Sequence, residues 1–509
     1  MAVLIPSVKP PALICYSQQW PRRRNLQLPY DILICIFEKL EDDYRTLFRC
    51  SLLDWESNHA AMPFLYRSVV FEPTHWYGYQ DRAVGEEDSL NLKSACLPHH
   101  ARFVRHFEVR GYLSLNSSTR NRTVVTHMLS KAIRSFSNLR SAKFLPKSYH
   151  SSLFSGALQA LAANACPYLA ELTLDESCFT EGNIPTLLRV GGLRKLVIEY
   201  ASQAVAKTLC LGWLNFSSGS LTTLRFEVNL LADAIYNELI LEKGVCLPIT
   251  ADVLSSQVQY LQNLQELGLG LLDHPDDTML CLFLESLPHL HTLSLYYNEE
   301  HLDHDAVGKP CHIPQLRSLT VRYFGPQSQS DIDRLCHWVH GLVKGSPLLE
   351  ELCLIDDNGE SINNLTHTAA IASFDLLIKY FTTKRSNLRS LQIPNGYLGR
   401  MSLELVCSTC SHLEDLAIAT SKVFLMDFVR SSTTTRRRFS IRRAAFNLRR
   451  NRGMGDGDVL LSLAEATEVV QKFPKLQCLD VNKTAWESRS IKLDNGKTVR
   501  VIEPKTAGP

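Results

Sequence analysis

Few side chains in this sequence stand at the spacings that catalysis or metal binding demands. Cys407, Cys410 and His412 make a CxxC pair with a nearby histidine, half of a tetrahedral zinc site. A second pair at a fitting distance is missing, and the run from Cys410 to Ile418 leads into an apolar segment, so no metal is expected there. His301, His304, Asp305, Cys311 and His312 gather imidazole, carboxylate and thiol donors in one polar stretch, yet loops collect such residues for solvation alone. Glycine-rich phosphate loops, GxSxG elbows and HExxH helices do not occur, which leaves no recognisable nucleotide, acyl-transfer or zinc-peptidase machinery. The strongest local bias is charge. Thr435 to Arg452 carries Arg436, Arg437, Arg438, Arg442, Arg443, Arg449, Arg450 and Arg452 with almost no acid, and Ser440 follows an arginine cluster. The segment reads as a solvated basic insertion over 431–457, with nuclear import, phosphorylation or docking of an acidic substrate as its functional alternatives.

If chemistry is scarce, the elements that position side chains become the main content. From about residue 100 onward one pattern returns: an apolar residue, two variable ones, an apolar residue, one variable, an apolar residue. Its members begin with Val104/Phe107/Val109, Leu139/Ala142/Phe144 and Leu169/Leu172/Leu174, and continue through Leu193/Leu196/Ile198, Leu221/Leu224/Phe226 and Leu264/Leu267/Leu269. Downstream stand Leu290/Leu293/Leu295, Leu316/Leu319/Val321, Leu349/Leu352/Leu354, Leu388/Leu391/Ile393, Leu413/Leu416/Ile418 and Leu476/Leu479/Val481. The last two positions of each triplet are two apart, so on a strand both side chains point to one face. Helical spacing recurs between triplets, as in Ile332, Leu335, Val339 and Leu342, or Ile371, Phe374, Leu377 and Ile378. Pro167, Pro288, Pro347 and Pro474 stop such helices before the next strand. About a dozen units at roughly 24 to 40 residues resemble leucine-rich repeats of the long helical kind. The loop asparagine of regular repeats is filled cleanly only by Asn298, with Ser421 and Thr484 as weak substitutes, so uneven repeats are expected.

A solenoid exposes its apolar core at both ends unless something covers it. At the C-terminal end, Trp486 to Ile502 reads as a hairpin turning at Asp494, Asn495 and Gly496, because Asn-Gly accepts the positive dihedrals of a tight turn.

Before the repeats, residues 28 to 71 carry Leu28, Pro29, Ile32, Leu33, Ile36, Phe37 and Leu40, then Leu47, Cys50, Ser51, Leu53 and Trp55, and later Ala60, Pro63, Leu65, Tyr66 and Val69. Pro29 suits a helix start and Asp31 complements the helix dipole. The apolar stripe of the first helix is wider than one packed face needs, and about 45 residues rarely supply enough core to stand alone. This segment resembles the F-box family over the whole motif, departing at Asp54, where relatives usually carry a basic or small residue. The resemblance implies that Leu28, Pro29, Ile32, Leu33, Ile36, Leu40, Leu47, Cys50 and Trp55 dock a Skp-type adaptor. It further implies that the adaptor binds a cullin while the repeats hold a protein substrate for ubiquitination, with no catalysis by this chain.

The expected fold is α/β, an N-terminal helical F-box followed by an irregular leucine-rich-repeat solenoid with parallel strands inside and helices outside. The expected organisation is a disordered leader over 1–25, the F-box over 26–71, a linker over 72–100, the solenoid over 101–484 and a hairpin cap and tail over 485–509. Residues flanking the buried pair on each strand face the open side and are the candidate substrate contacts, foremost Lys195, Glu199, Arg225, Glu227, Tyr296 and Arg322, then Glu171, Thr173, Asp175 and Asp480. Lysine plus arginine number 54 against 52 for aspartate plus glutamate, so neither nucleic acid nor membrane is expected as a partner, and no cofactor is expected either. The 15 cysteines lie mostly inside apolar runs, and the opening residues lack a secretory leader pattern, which points to cytoplasm or nucleus. A repeat scaffold acting without a cullin, in the nucleus through its arginine-rich segment, is the alternative, and an unrecognised hydrolase or metal enzyme a further one.

Overall fold

A computed structural model describes residues 28–72, 92–112, 119–148, 151–163, 166–175, 178, 189–199, 219–227, 249–250, 255–256, 258–269, 272–273, 277–297, 311–323, 328–357, 373–382, 387–431, 440–449, 460–482, 484–492 and 498–504. The chain divides into two compact units, Met1–Arg67 and Ser68–Pro509. The first is helical: α1 (Tyr30–Lys39), α2 (Tyr44–Ser51) and α3 (Trp55–Leu65).

The second unit is built on one long sheet. Its strands are β1 (Ser68–Phe71), β2 (His106–Tyr112), β3 (Ser141–Ser148), β4 (Glu171–Asp175), β5 (Lys195–Glu199) and β6 (Thr223–Glu227). A two-stranded parallel ribbon of β7 (Ile249–Thr250) and β9 (Leu272–Asp273) flanks β8 (Glu266–Leu269) in sequence. The sheet continues with β10 (Thr292–Tyr297), β11 (Ser318–Tyr323), β12 (Glu351–Asp356), β13 (Ser390–Tyr397), β14 (Asp415–Ser421), β15 (Arg443–Arg449) and β16 (Cys478–Val481). All neighbours from β1 to β16 run parallel in sequence order. Then β17 (Thr484–Lys492) pairs antiparallel with β16, and β18 (Thr498–Pro504) antiparallel with β17, from Trp486↔Pro504 to Lys492↔Thr498. The turn at Asp494, Asn495 and Gly496 lies outside the described residues, as does Asn298.

Every triplet of the repeat pattern forms a rung. Leu267, Leu293, Leu319, Leu352, Leu391 and Leu416 stand at one register on consecutive strands, and each is at most 2% exposed. Outer helices cover them: α4 (Thr119–Ser135), α5 (Ser155–Ala162), α6 (Asp277–Glu285), α7 (Gln329–Val343), α8 (Asp375–Thr382), α9 (Arg400–Thr409), α10 (Lys422–Arg430) and α11 (Leu463–Lys472). Ile332, Leu335, Val339 and Leu342 are buried on α7, as are Phe374, Leu377 and Ile378 at α8, while Ile371 lies outside the described residues. Helix starts follow local rules. Ser328 with Asp331, and Ser462 with Glu465, form reciprocal capping boxes on α7 and α11. Ser421 caps α10 by accepting from the Phe424 N–H at 3.1 Å.

Where alanine takes a leucine slot, aromatic rings fill the volume. Ala142 on β3 pairs with Phe107, which belongs to a chain of edge-to-face phenylalanines, Phe136–Phe107–Phe144–Phe154, with centroids 5.5, 6.2 and 5.6 Å apart. Ala444 on β15 is similarly small; Phe446 on the same strand is buried, as are Phe428 and Phe473, whose rings lie 6.0 Å apart.

Two expectations about boundaries are corrected. The basic stretch is not simply a solvated insertion over 431–457, because Ile441, Ala444 and Phe446 complete a further rung and Arg443–Arg449 is a strand between β14 and β16. Arg442 and Arg443 are exposed, and Arg443 forks onto Asp415 at 2.6 and 2.7 Å. At the other end, Val69 belongs to the first strand of the sheet rather than to the helical unit, pairing with Phe107. No described helix is long and apolar enough to cross a membrane.

Close backbone approach marks one glycine as irreplaceable. A β-carbon on Gly345, just past α7, would stand 2.4 Å from the Cys311 carbonyl oxygen and 2.8 Å from the His312 α-carbon. Gly345→Ala is therefore expected to lower stability by about 1 to 3 kcal/mol in urea titration. Gly219→Ala, with nothing within 4 Å, is expected to change it by less than about 0.5 kcal/mol.

Candidate docking faces

The helical unit starts from three caps. Pro29 occupies the cap position of α1 with φ −52° and ψ 143°, outside the helical region. Asp43 accepts from the Thr46 hydroxyl at 2.6 Å and from the Thr46 N–H at 3.0 Å to start α2, and these bonds hold its carboxyl below the ordinary carboxylate value. Asp54 accepts from the Ser57 N–H at 2.7 Å to start α3. The residue that departs from the F-box pattern therefore has a local task, satisfying an orphan amide of its own helix. Asn58 ties α3 back to α2 through the Ser51 carbonyl at 3.0 Å.

The core of this unit is small. Leu33, Phe37, Leu47, Ala60 and Ala61 are buried, with Ile34, Leu40, Cys50, Phe64 and Leu65 packed partly around them. Leu33 and Leu47 thus hold the helices together and are removed from the set of contact candidates, because a side chain enclosed by its own unit has no surface left for a partner. Leu40 and Cys50 are half-buried, while Leu28, Pro29, Ile32, Ile36 and Trp55 are open to solvent. Trp55 is 77% exposed and stacks on His59 at 5.4 Å, whose Nδ1 lies 3.0 Å from the Tyr30 hydroxyl.

Further open apolar residues, Tyr30, Tyr44, Phe48 and Leu52, escaped the sequence reading, and Leu53, named in the motif but not among the expected contacts, is with Leu52 about as bare as Trp55. Their spacing was informative. Ile32 and Ile36 stand four apart on α1, with Leu28 at the same interval just before its Pro29 cap, and Tyr44, Phe48 and Leu52 recur every four residues from the start of α2 to its C-cap. Isolated apolar residues on a surface are ordinary, but two full stripes on so small a unit are not.

On the sheet, the residues between the leucines occupy the open face. Lys195 and Glu199 are half-exposed on β5. Arg225 forms an ion pair with Glu266 and lies across Gly268, where a β-carbon would meet its Cγ at 2.9 Å. Arg322 forks onto Asp357, with Nη2 to Oδ1 at 2.9 Å and Nε to the two oxygens at 3.2 and 3.3 Å. Together with Ser294, Thr320 and Tyr296 these arginines line a pocket of about 220 Å³. Below about 300 Å³ a pocket suits a side chain rather than a whole cofactor. Tyr296 is a correction: it is only 1% exposed, so it forms wall and not contact surface. Arg322 stands at its register on the next rung, and burial with the Asp357 charge pushes the phenol well above its usual range. The side chain of Glu227 lies outside the described residues. Asp357, one residue past β12, carried no pattern that sequence reading could use.

The possible metal donors are placed as follows. Cys407 and Cys410 are buried thiols pushed up by desolvation, and His412 is exposed. Cys311 is buried with its Sγ 3.7 Å from the Cys281 carbonyl, whereas His301, His304 and Asp305 lie outside the described residues. Among the described residues no cluster of three metal donors forms.

No family model matches this chain, and no curated protein matches it. Among solved structures it is similar to a chain of the yeast Rad7–Elc1 complex, at 12% identity over 82% of this chain and 88% of that one, with a TM-score of 0.41. It is also similar to the leucine-rich-repeat-containing protein LegL7 from Legionella pneumophila, at 12% identity over 85% and 92% of the two chains, with a TM-score of 0.29. Likenesses this distant carry no argument. The leucine-rich-repeat solenoid is read from the chain's own stacked strands.

Two outcomes follow from burial. Leu33→Ala and Leu47→Ala are expected to destabilise the helical unit by about 2 to 5 kcal/mol in chemical denaturation, whereas Phe48→Ala and Trp55→Ala change it by about 0.5 kcal/mol or less. Cys166 and Cys336, whose thiols burial pushes up to about 12, are expected to resist alkylation at pH 8 in the folded chain, while exposed Cys35 reacts. Mass spectrometry of the labelled sites reads this directly.

Proposed function

We propose that residues 28–71 act as an F-box, docking a Skp-type adaptor and through it a cullin, and that the repeat sheet holds a protein substrate for ubiquitin transfer. The observation that supports this is the pair of apolar stripes on a helical unit whose own core is five buried side chains. Such a unit gains by folding against a partner, since each large side chain it buries contributes about 1.5 to 3 kcal/mol. The contact set we infer is Leu28, Pro29, Ile32, Ile36, Phe48, Leu52, Leu53 and Trp55, with Leu40 and Cys50 at its margin.

In this reading the chain performs no chemistry. It raises the effective concentration of a substrate lysine at a charged conjugating enzyme, turning a bimolecular encounter into a near-unimolecular one. The open strand face, with the paired arginines Arg225 and Arg322 and the half-exposed Lys195 and Glu199, offers polar contacts to a folded or extended protein. We place the complex in the cytoplasm, the nucleus or both.

Co-purification of the full chain with a Skp-type adaptor tests the proposal. The double variant Ile32→Ala/Trp55→Ala is expected to weaken that complex by about a hundredfold or more while leaving the melting temperature of the free chain near wild type. Undiminished adaptor binding by that variant, or none by the wild-type chain, would remove the F-box assignment and leave the repeat scaffold.

A further inference from the structure

The residue just before each strand forms a row of its own along one edge of the sheet. Its carbonyl accepts two N–H groups from the next rung: Arg105 O takes those of Arg140 and Ser141 at 2.8 and 3.0 Å, and Arg140 O those of Ala170 and Glu171 at 2.8 and 3.0 Å. The same bond pair repeats down the sheet to Arg442 O, which takes Gln477 and Cys478 at 2.7 and 3.2 Å. Strand spacing therefore sets these residues about 4.8 Å apart. The carbonyl ladder fixes their backbone while their long side chains reach solvent.

Arginine recurs in this row, in two different electrostatic settings. In the C-terminal half it alternates with acid: Arg317 and Arg389 reach Glu350 at 3.5 and 3.6 Å, and Arg442 reaches Glu414 at 3.6 Å. In the N-terminal half the row runs Arg105, Arg140, Ala170, Arg194, all three arginines exposed and none in an ion pair among the described residues. Glu171 directly follows the row's Ala170, and it stands beside Lys195 at the following rung. Stacked like charges destabilise adjacent strands, so any anion that bridges them is bound with relief of that repulsion.

We propose that the rim formed by Arg105, Arg140 and Arg194 is a docking strip for an extended acidic segment of a partner protein. Its length spans about 14 Å over three rung spacings, and alternate side chains of an extended chain are about 6.8 Å apart, so three carboxylates cover it. A single chain fits along the rim. A nucleic acid broad enough to reach the open strand face as well would meet Glu108, Asp175 and Glu199 on these same rungs. The strip lies wholly within the sheet unit and does not depend on the adaptor reading.

Fluorescence anisotropy of the full-length chain with a labelled alternating-glutamate peptide at low salt is the test. Arg105→Gln/Arg140→Gln/Arg194→Gln is expected to weaken binding by about tenfold or more, as the loss of three exposed ion pairs allows. A charge-matched triple on the helical side of the same region, Lys93→Gln/Lys131→Gln/Arg134→Gln, is expected to change it less than about twofold. Glu350→Gln/Glu414→Gln, which frees the neutralised half of the row, is expected to tighten it. Equal losses from the two triples would mean attraction by net charge alone and would overturn the strip. Tighter binding of a single-stranded oligonucleotide of equal charge would overturn the choice of partner. Neither result bears on adaptor capture by the helical unit.

Discussion

Everything in the sheet unit depends on one repeated constraint: two apolar side chains, two residues apart, must enter the same core at the same register on every strand. Parallel pairing satisfies the backbone and places each pair directly over the last, so rungs such as Leu293/Leu295 and Leu319/Val321 stack with almost no exposure. Once that register is set, the residues between the leucines are forced to the open face and the residue before each strand to the rim. The positions available for recognition are therefore by-products of core packing. Their chemistry is free to vary because the fold does not depend on it.

The constraint also explains what was legible from sequence. All twelve triplets read from the pattern are rungs, because two leucine-sized residues at fixed spacing leave little ambiguity. Two rungs escaped. Val69 and Phe71 pair with Phe107 and Val109, but they trail a segment whose helical pattern dominates the reading. Ile441, Ala444 and Phe446 are hidden by the arginines around them and by an alanine in the leucine slot, although all three are buried. The end of the ladder shows a similar blindness. Asn482, at φ 45°, holds both backbone groups of Leu448, donating to its carbonyl at 3.1 Å and accepting from its N–H at 2.7 Å. That is a loop clamp one residue past the last parallel strand, made possible by the tolerance of asparagine for the left-handed region. Nothing in local spacing distinguishes it from any other loop asparagine.

The helical unit was legible in a different way. Apolar content identified the segment, but which side chains face inward depends on how three short helices meet, and single-sequence spacing cannot resolve that. Leu33 and Leu47 belong to the core although each adjoins an apolar residue that does not, Ile32 and Phe48. Conversely, Tyr44, Phe48 and Leu52 follow a clean four-residue period whose outward direction only the packing of α2 against α3 decides. Asp54 is a further case, since a departure from a motif became intelligible only when its carboxylate was found on the Ser57 amide.

The two units therefore spend their apolar residues in opposite ways. The sheet unit hides the leucines of its described rungs by repetition, each rung covering the last, and what it shows on its open face and its rim is mostly charged and polar. The helical unit lacks repetition and has too few residues to enclose what it carries, so its aliphatic and aromatic side chains remain outside. A large apolar side chain left in water forgoes the stabilisation that burial would give, on a unit with little core to spare. Such a surface is physically reasonable only where something else covers it. A repeat array, by contrast, is stable without a partner and can present a different set of exposed residues on every rung. That asymmetry divides the molecule into a part suited to permanent apolar docking and a part suited to selective polar recognition.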